Sequence, residues 1–299
     1  MLRNGLLLRE VVQRLEGFAP LWLAESWDNV GLLLETTRSL AERVKEVLLT
    51  NDLTEEVASE AVSRGVQLII SYHPPLFRPF KTITQDQWKS RIITLCMENN
   101  ISIYSPHTCF DSLDGGVNDW LSSFFGVLKP DFLRCYCDYI FSFTDFESKR
   151  PIIPAKAPAG VETSLNLAAC GAGRVLQLKS KITIEDAIQI VKSKLQLQHV
   201  HLALAKGAKK SSCVSTVALC AGSGSSVLSG VLADLLLTGE MSHHEVLDAV
   251  HNGKSVILTW HSNSERGYLR SLQDDLSKLF NTEVGFSISS TDLDPLVTV

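Results

Sequence analysis

No Cys-x-x-Cys pair occurs in this chain, and its seven cysteines lie scattered at Cys96, Cys109, Cys135, Cys137, Cys170, Cys213 and Cys220. That spacing excludes a zinc knuckle and a thioredoxin-like redox motif. Cys135 and Cys137 stand too close for an ordinary disulfide, so a reducing compartment is the expected setting. Long apolar runs are missing too: none approaches the roughly 20 residues of a membrane-spanning helix. Nor is there an extended Lys/Arg run. The 28 Lys and Arg stand against 33 Asp and Glu, a formal charge of −5. Binding to phosphate backbones needs a basic face, so direct contact with nucleic acid is not expected. No short solenoid repeat is visible.

What is present suits a soluble protein with a real core: 45% hydrophobic and 20% charged residues over a length of 299, enough for one large domain or two ordinary ones. Leu8, Val11, Val12 and Leu15 recur at helical spacing and run on into Phe18. They read as a structural helix, not a removable transit peptide. A cytoplasmic location is expected, with nuclear entry by diffusion or with a partner left open.

Strand-like and helix-like segments alternate. Val44–Thr50 reads as a strand. A helix follows, capped by Thr54 and stopped at Gly65. Val66–Ser71 is the next strand, Trp88 to Glu98 a helix and Ile101–Tyr104 a strand. This rhythm predicts a parallel sheet covered by helices. Residues 129–158 lack a clean period and carry Pro151, Pro154 and Pro158, so a link is expected there. It divides an N-terminal α/β lobe (1–128) from a C-terminal one (159–299). In the second lobe Thr183 opens a helix, and His199–Leu204 and Val214–Leu219 read as strands. A short helix is expected through Val227 and Val231, followed by a strand at Asp234–Thr238. Ser242 and Glu245 form a capping box, Val256–Trp260 a strand, and Tyr268, Leu269, Leu272, Leu276 and Leu279 the apolar stripe of a final helix. The fold class is α/β: two lobes with mostly parallel central sheets and a cleft between them.

Three strand-like runs stop at a histidine: Gln67-Leu-Ile-Ile-Ser-Tyr-His73, Ile101-Ser-Ile-Tyr-Ser-Pro-His107 and Ser255-Val-Ile-Leu-Thr-Trp-His261. Ligand sites of open α/β sheets lie beyond the carboxyl ends of strands, and imidazole with carboxylate is a usual ligand set for transition metals. His261 has Glu265 four residues on, expected in the first turn of the next helix. The pair reads either as metal ligands or as a loop cap and a dipole-complementing acid. Asp111 follows His107 by four residues and can bridge two ions, while His107 either binds metal or orients Asp111. Pro74 and Pro75 hold His73 in an extended loop. Glu240 precedes the capped helix that starts with His243 and His244; a crevice-lining or structural role is favoured for it, and a metal shared with His243 is the minority reading. Gly222-Ser-Gly-Ser-Ser226 lies between a strand and a helix. It lacks the P-loop lysine and reads as a phosphate cradle or a tight turn.

Together these segments resemble the NIF-3-like family, also described as GTP cyclohydrolase type 2-like. The resemblance covers nearly the whole chain. It rests on Trp27-Asp-Asn-Val-Gly31, Ser71-Tyr-His-Pro-Pro75, His107-Thr-Cys-Phe-Asp111 with Gly115-Gly-Val-Asn-Asp119, Ala221-Gly-Ser-Gly-Ser-Ser226, Thr238-Gly-Glu-Met-Ser-His-His244 and His261-Ser-Asn-Ser-Glu-Arg-Gly267. It implies a dinuclear divalent-metal centre between the lobes, a ring-like homo-oligomer, and ligands at His73, Asp111, His261 and Glu265, with Tyr72 and His107 as secondary candidates. Bacterial relatives have two adjacent histidines where this chain has Tyr72-His73, which puts the second ion in doubt: one or two per chain are expected. The functional expectation is a metal-dependent hydrolase of a nucleotide-type small molecule. The alternative is a non-enzymatic protein-interaction factor, a transcriptional co-regulator with transcription regulators as partners and a structural or vestigial metal.

Overall fold

The structure is a computed structural model that describes residues 3–37, 42–126 and 146–298. Cys135, Cys137 and residues 129–145 of the expected link lie outside the described residues. The elements run β1 (Leu6–Leu7), α1 (Leu8–Phe18), β2 (Gly31–Leu34), β3 (Arg43–Val44), β4 (Glu46–Thr50), α2 (Glu55–Arg64), β5 (Leu68–Ser71), α3 (Trp88–Glu98), β6 (Ser102–Ser105), α4 (Thr108–Ser112) and α5 (Val117–Ser122). They continue through β7 (Phe146–Pro154), β8 (Gly171–Thr183), α6 (Ile184–Leu195), β9 (His201–Ala203), β10 (Cys213–Cys220), α7 (Ser225–Leu228), β11 (Leu235–Thr238), α8 (His243–His251), β12 (Ser255–Leu258), α9 (Tyr268–Leu279) and β13 (Gly285–Ile288).

Local chemistry sets many of these boundaries. The Thr54 hydroxyl accepts from Val57 N–H at the start of α2, and Gly65 ends that helix in the left-handed region. Thr183 and Ser242 open α6 and α8 with reciprocal capping boxes, each satisfying otherwise orphaned N–H groups. The α7 helix stops at Leu228, short of the expected Val231, and Gly230 two residues later has φ +72°. β12 stops two residues before the expected Trp260, which itself turns to φ +68°.

The two large sheets have the orders β13-β4-β5-β6-β2 and β7-β8-β10-β11-β12-β9, and β1 pairs with β3 in a separate two-stranded sheet. β13, β4, β5 and β6 pair in parallel, as do β10, β11 and β12, while the flanking pairs β2/β6, β8/β10, β7/β8 and β9/β12 are antiparallel. The centres of both sheets are therefore parallel and the antiparallel pairs lie outside them.

The link expected over 129–158 does not extend over 146–154, because those residues form β7. Its edge position explains the prolines: an edge strand leaves one row of N–H groups without a ladder partner, so a missing donor costs little there. β13 likewise leaves the expected C-terminal lobe and pairs with β4 of the first sheet.

Strand alternation builds the core. Val47, Leu49, Leu68 and Ile70 face one large buried cluster, which also takes Val217, Leu219, Leu235, Leu237 and Ile257 from the second sheet and Leu269, Leu272 and Leu276 from α9. The opposite face of the first sheet, with Leu48, Ile69 and Ile103, packs on Val57, Ala58 and Ala61 of α2 and Ile92, Ile93 and Cys96 of α3. A single apolar interior thus joins the two sheets.

Two polar ties cross that interior. Arg174 of β8 is 1% exposed. Its Nε and Nη2 donate to Asp119 at 3.0 and 2.6 Å, and it also donates to the carbonyls of Gly171, Gly173 and Leu113. Asn118 donates to the Asp111 carbonyl at 3.0 Å and accepts from Ala221 N–H at 2.9 Å. Among the described residues no helix is long and apolar enough to cross a membrane.

Candidate metal centre

Six strand ends converge. Asn51 and Asp52 follow β4, Tyr72 and His73 follow β5, and His107 lies two residues beyond β6. From the second sheet come Gly222 after β10, Glu240 after β11 and His261 after β12. Parallel strands place these ends on one side of each sheet, where a cleft forms. A cavity of about 550 Å³ opens there, lined by His73, His107, Asp111, Gly222, His261 and Glu265 among others.

All three strand-end histidines share one arrangement. Nδ1 of each faces a carboxylate: His73 faces Asp52 at 2.9 Å, His107 faces Asp28 at 2.8 Å, and His261 faces Glu240 at 2.8 Å. A carboxylate on Nδ1 fixes the ring orientation and raises the basicity of Nε2, as it does behind metal-binding imidazoles. The rings of His73 and His261 lie 5.1 Å apart, and those of His73 and His107 5.2 Å apart.

Glu265 stands between His73 and His261. Its Oε2 is 3.3 Å from His73 Nε2 and its Oε1 is 3.2 Å from His261 Nε2. It lies not in the first turn of α9 but just beyond a separate 3-10 turn, Ser262–Ser264. The Ser264 hydroxyl forms that turn by donating to the His261 carbonyl and accepting from Gly222 N–H. Asn51 holds the carboxylate from the other side, its side-chain amide donating to Oε2 at 3.2 Å. Ligand atoms of His73, His261 and Glu265 all lie within 4.8 Å of one another. Asp111 stands outside this group. Tyr72 O–H donates to its Oδ1, so Tyr72 and not His107 is its hydrogen-bond partner.

A strap closes the back of the site. Glu60 accepts from Ser289, Ser290 and Thr291. Asp292 then accepts from Asn51 N–H at 2.6 Å and from Arg266 at 3.1 Å. Asp294 accepts from Ser262 O–H at 2.6 Å.

The electrostatics follow from burial and pairing. Burial works to lower the basicity of His73, yet the Glu265 charge and the Asp52 hydrogen bond outweigh it and hold the imidazolium well above its usual range. Burial opposes the His261 charge as well, but Glu265 and Glu240 raise it to about 9. Glu265 resists the upward push of burial because both imidazoles face it, and it is held far below the usual carboxylate range. Burial raises Asp111 to about 6 against the lowering effects of His107 and Tyr72. Tyr72, pushed up by burial and by Asp111, stays a neutral donor.

Two observations test the fit of a metal ion. His73 Nε2 is buried without a hydrogen-bond partner, although the Glu265 carboxylate lies 3.3 Å away. Gly222, at φ +63°, keeps space open: a Cβ there would run into Glu265 Oε1 and lie 3.0 Å from His261 Nε2. Two imidazoles and a carboxylate are also the donor set of an open, three-ligand zinc-type site. The residues fit a divalent transition metal.

Reading strand ends one at a time missed Asn51, Asp52 and Asp28. Asp52 ends a strand just as the histidines do, and Asp28 lies in the Trp27–Gly31 motif. Glu240, expected to line the crevice, is not among the residues lining the cavity; it stands beside His261 as the partner of its Nδ1.

Comparison with known proteins extends this picture. The family described as Duf34/NIF3 (NGG1p interacting factor 3) matches residues 6–295. NIF3-like protein 1 of Drosophila melanogaster is 43% identical over 297 residues, covering 99% of this chain and 90% of that protein. NIF3-like protein 1 of Homo sapiens is 38% identical, with coverages of 99% and 94%. NGG1-interacting factor 3 of Saccharomyces cerevisiae is 34% identical, with coverages of 97% and 96%. Among solved structures, a Bacillus cereus protein related to NIF3 shares the fold at TM-score 0.77 and 23% identity over 100% of both chains. Reduced HcgD from Methanocaldococcus jannaschii does so at TM-score 0.73 and 23% identity over 95% of this chain and 98% of that one.

Proposed function

The chain belongs to the Duf34/NIF3 family, and from that premise we propose that it binds a divalent metal ion and works as a metal-dependent hydrolase of a nucleotide-type small molecule. The observation that carries this reading is the convergence of His73, His261 and Glu265, whose ligand atoms lie within 4.8 Å of one another, with the buried Nε2 of His73 making no hydrogen bond. His73, His261 and Glu265 would hold the ion, which supplies Lewis acidity when bound. The chain's own residues do the rest. Asp52 and Glu240 orient the two imidazoles, Asn51 steadies Glu265, and Gly222 keeps room beside them. Asp111 and His107 are the positions for a second ion. Tyr72 already engages Asp111, which favours one ion per chain. A homo-oligomer acting in the cytoplasm, and in the nucleus as well, completes the proposal. The name of the yeast relative speaks of a protein interaction for that protein; no feature of the described residues favours that role here over the metal reading.

Elemental analysis of purified protein tests the reading. Wild type is expected to retain metal through dialysis, and His73→Ala and His261→Ala to lose affinity by about 10–100-fold or more. Equal metal content in all three would end the assignment. Metal-dependent turnover of GTP, other nucleotides or phosphodiesters is the second readout.

A further inference from the structure

We propose that the cavity beside the metal positions binds a flat aromatic ring carrying an anionic group, with the ring against Trp27 and Phe77 and the anion at Lys89. The direction in which such a ligand lies rests on the metal reading; its binding does not.

Trp27 and Phe77 both line the cavity. They are 60% and 41% exposed, large apolar surface left in water at the mouth of a cleft. The rings do not stack on each other. Trp27 meets Phe77 edge-on at 6.1 Å and 71°, and His107 at 6.0 Å and 74°. Phe77 meets His107 at 6.5 Å and 85°. Such T-shaped contacts fix the rings and cover one face of one ring in each pair, and the exposure of Trp27 and Phe77 leaves ring surface open to a ligand. The ring series continues inward through His107 to His73 and His261, so a ligand held at the collar reaches toward the metal positions. The second sheet and α7 add aliphatic lining, with Ile153, Ala172 and Val227. Aromatic lining from Trp27 and Phe77 together with aliphatic lining suits a planar apolar group. A volume of about 550 Å³ falls within the usual range for small-molecule sites.

Charge gives the second half. The inner part of the cavity is acidic, with Asp111 and Glu265, and suits a cation. Apart from the histidines, Lys89 is the basic residue among those lining the cavity. It is half-buried in the first turn of α3 and has no carboxylate partner among the described residues; its ammonium lies 5.4 Å over the Trp88 ring. Burial and the neighbouring Arg78 charge both disfavour that ammonium, and a bound anion would relieve both. Glu25 is the third acid lining the cavity; an aromatic phosphate or carboxylate therefore meets an aromatic surface at Trp27 and Phe77 and the cavity's one lysine at Lys89.

The test uses EDTA-treated protein, so that no metal can hold a phosphate, with calorimetric titration of 1-naphthyl phosphate, 1-naphthol and inorganic phosphate. The naphthyl phosphate is expected to bind at least about tenfold tighter than either half, because each end has its own contact. Trp27→Ala should cost about tenfold for naphthyl phosphate and naphthol and leave phosphate unchanged, while Trp27→Phe retains most of the affinity. Lys89→Gln should weaken both anions and spare naphthol. Both residues are exposed or half-exposed, so the variants are expected to fold, and their melting curves check this. The proposal is overturned if Trp27→Ala leaves naphthyl phosphate binding intact, or if phosphate alone binds as tightly as the aryl phosphate. Failure of the metal reading shows separately, as unchanged metal content in His73→Ala and His261→Ala.

Discussion

The two sides of the cleft handle buried polar atoms in opposite ways. On the side of His107, Asp28 accepts from His107 Nδ1 at 2.8 Å, from Thr108 N–H at 3.1 Å and from the Thr108 hydroxyl. Tyr72 engages Asp111, and Asn118 bridges to the second sheet. That side is internally bonded. On the side of His73, His261 and Glu265, charges face one another and the buried Nε2 of His73 makes no hydrogen bond. A satisfied network is architecture, whereas an unsatisfied one in a cleft marks a place for something else.

The contrast can be broken most forcefully at Asp28. Asp28→Ala leaves His107 and Thr108 without their buried acceptor. It should cost about 3–5 kcal/mol of stability, read by urea unfolding, with the metal content of the surviving folded protein unchanged. A loss of metal without a loss of stability would reverse the roles given to the two sides. Gly222→Ala should do the opposite. The left-handed backbone costs about 1–2 kcal/mol for any side chain, and the added Cβ occupies the space beside Glu265 and His261. Metal retention in dialysed protein should fall far more than the melting temperature.

The smallest expected effect lies in the strap behind both sides. Glu60 is lowered to about 2, since the hydrogen bonds from Ser289, Ser290 and Thr291 overcome the upward push of burial. A depressed carboxylate stabilises the fold above its unfolded pKa, and that contribution fades as pH falls from about 4.5 through 2. Glu60→Gln should therefore cost about 1 kcal/mol at pH 7, and its gap from wild type should close on acidification towards pH 2. A gap that stayed constant would show that the serines and threonine hold the strap without the charge.

Much of this was legible in sequence because the signals are local. Strand ends at His73, His107 and His261, the caps Thr54, Thr183 and Ser242, and the helix Trp88–Glu98 all follow from period and neighbouring residues. What was not legible depends on pairing across the fold. Pro151 and Pro154 look like punctuation until β7 is seen at an edge. β13 carries no mark of the sheet it joins. Asp28, Asp52 and Glu240 become partners of histidines only when separate strand ends meet. Glu265 looked helical because α9 begins so soon after it, but the Ser264 hydroxyl bonds close a separate turn first.

The strap also sets a timetable. Asn51 and Asp292 are separated by 241 residues. At roughly 5–20 residues per second, a ribosome needs on the order of 10–50 seconds to cover that interval. Throughout it, the first sheet lacks β13, and Asn51 lacks the carboxylate that fixes its backbone beside Glu265. A nascent chain thus displays His73 and His107 well before it can gather His261, Glu265 and Asp292 around them. Acquisition of metal at the proposed site would consequently be a late event, following synthesis of Asp292.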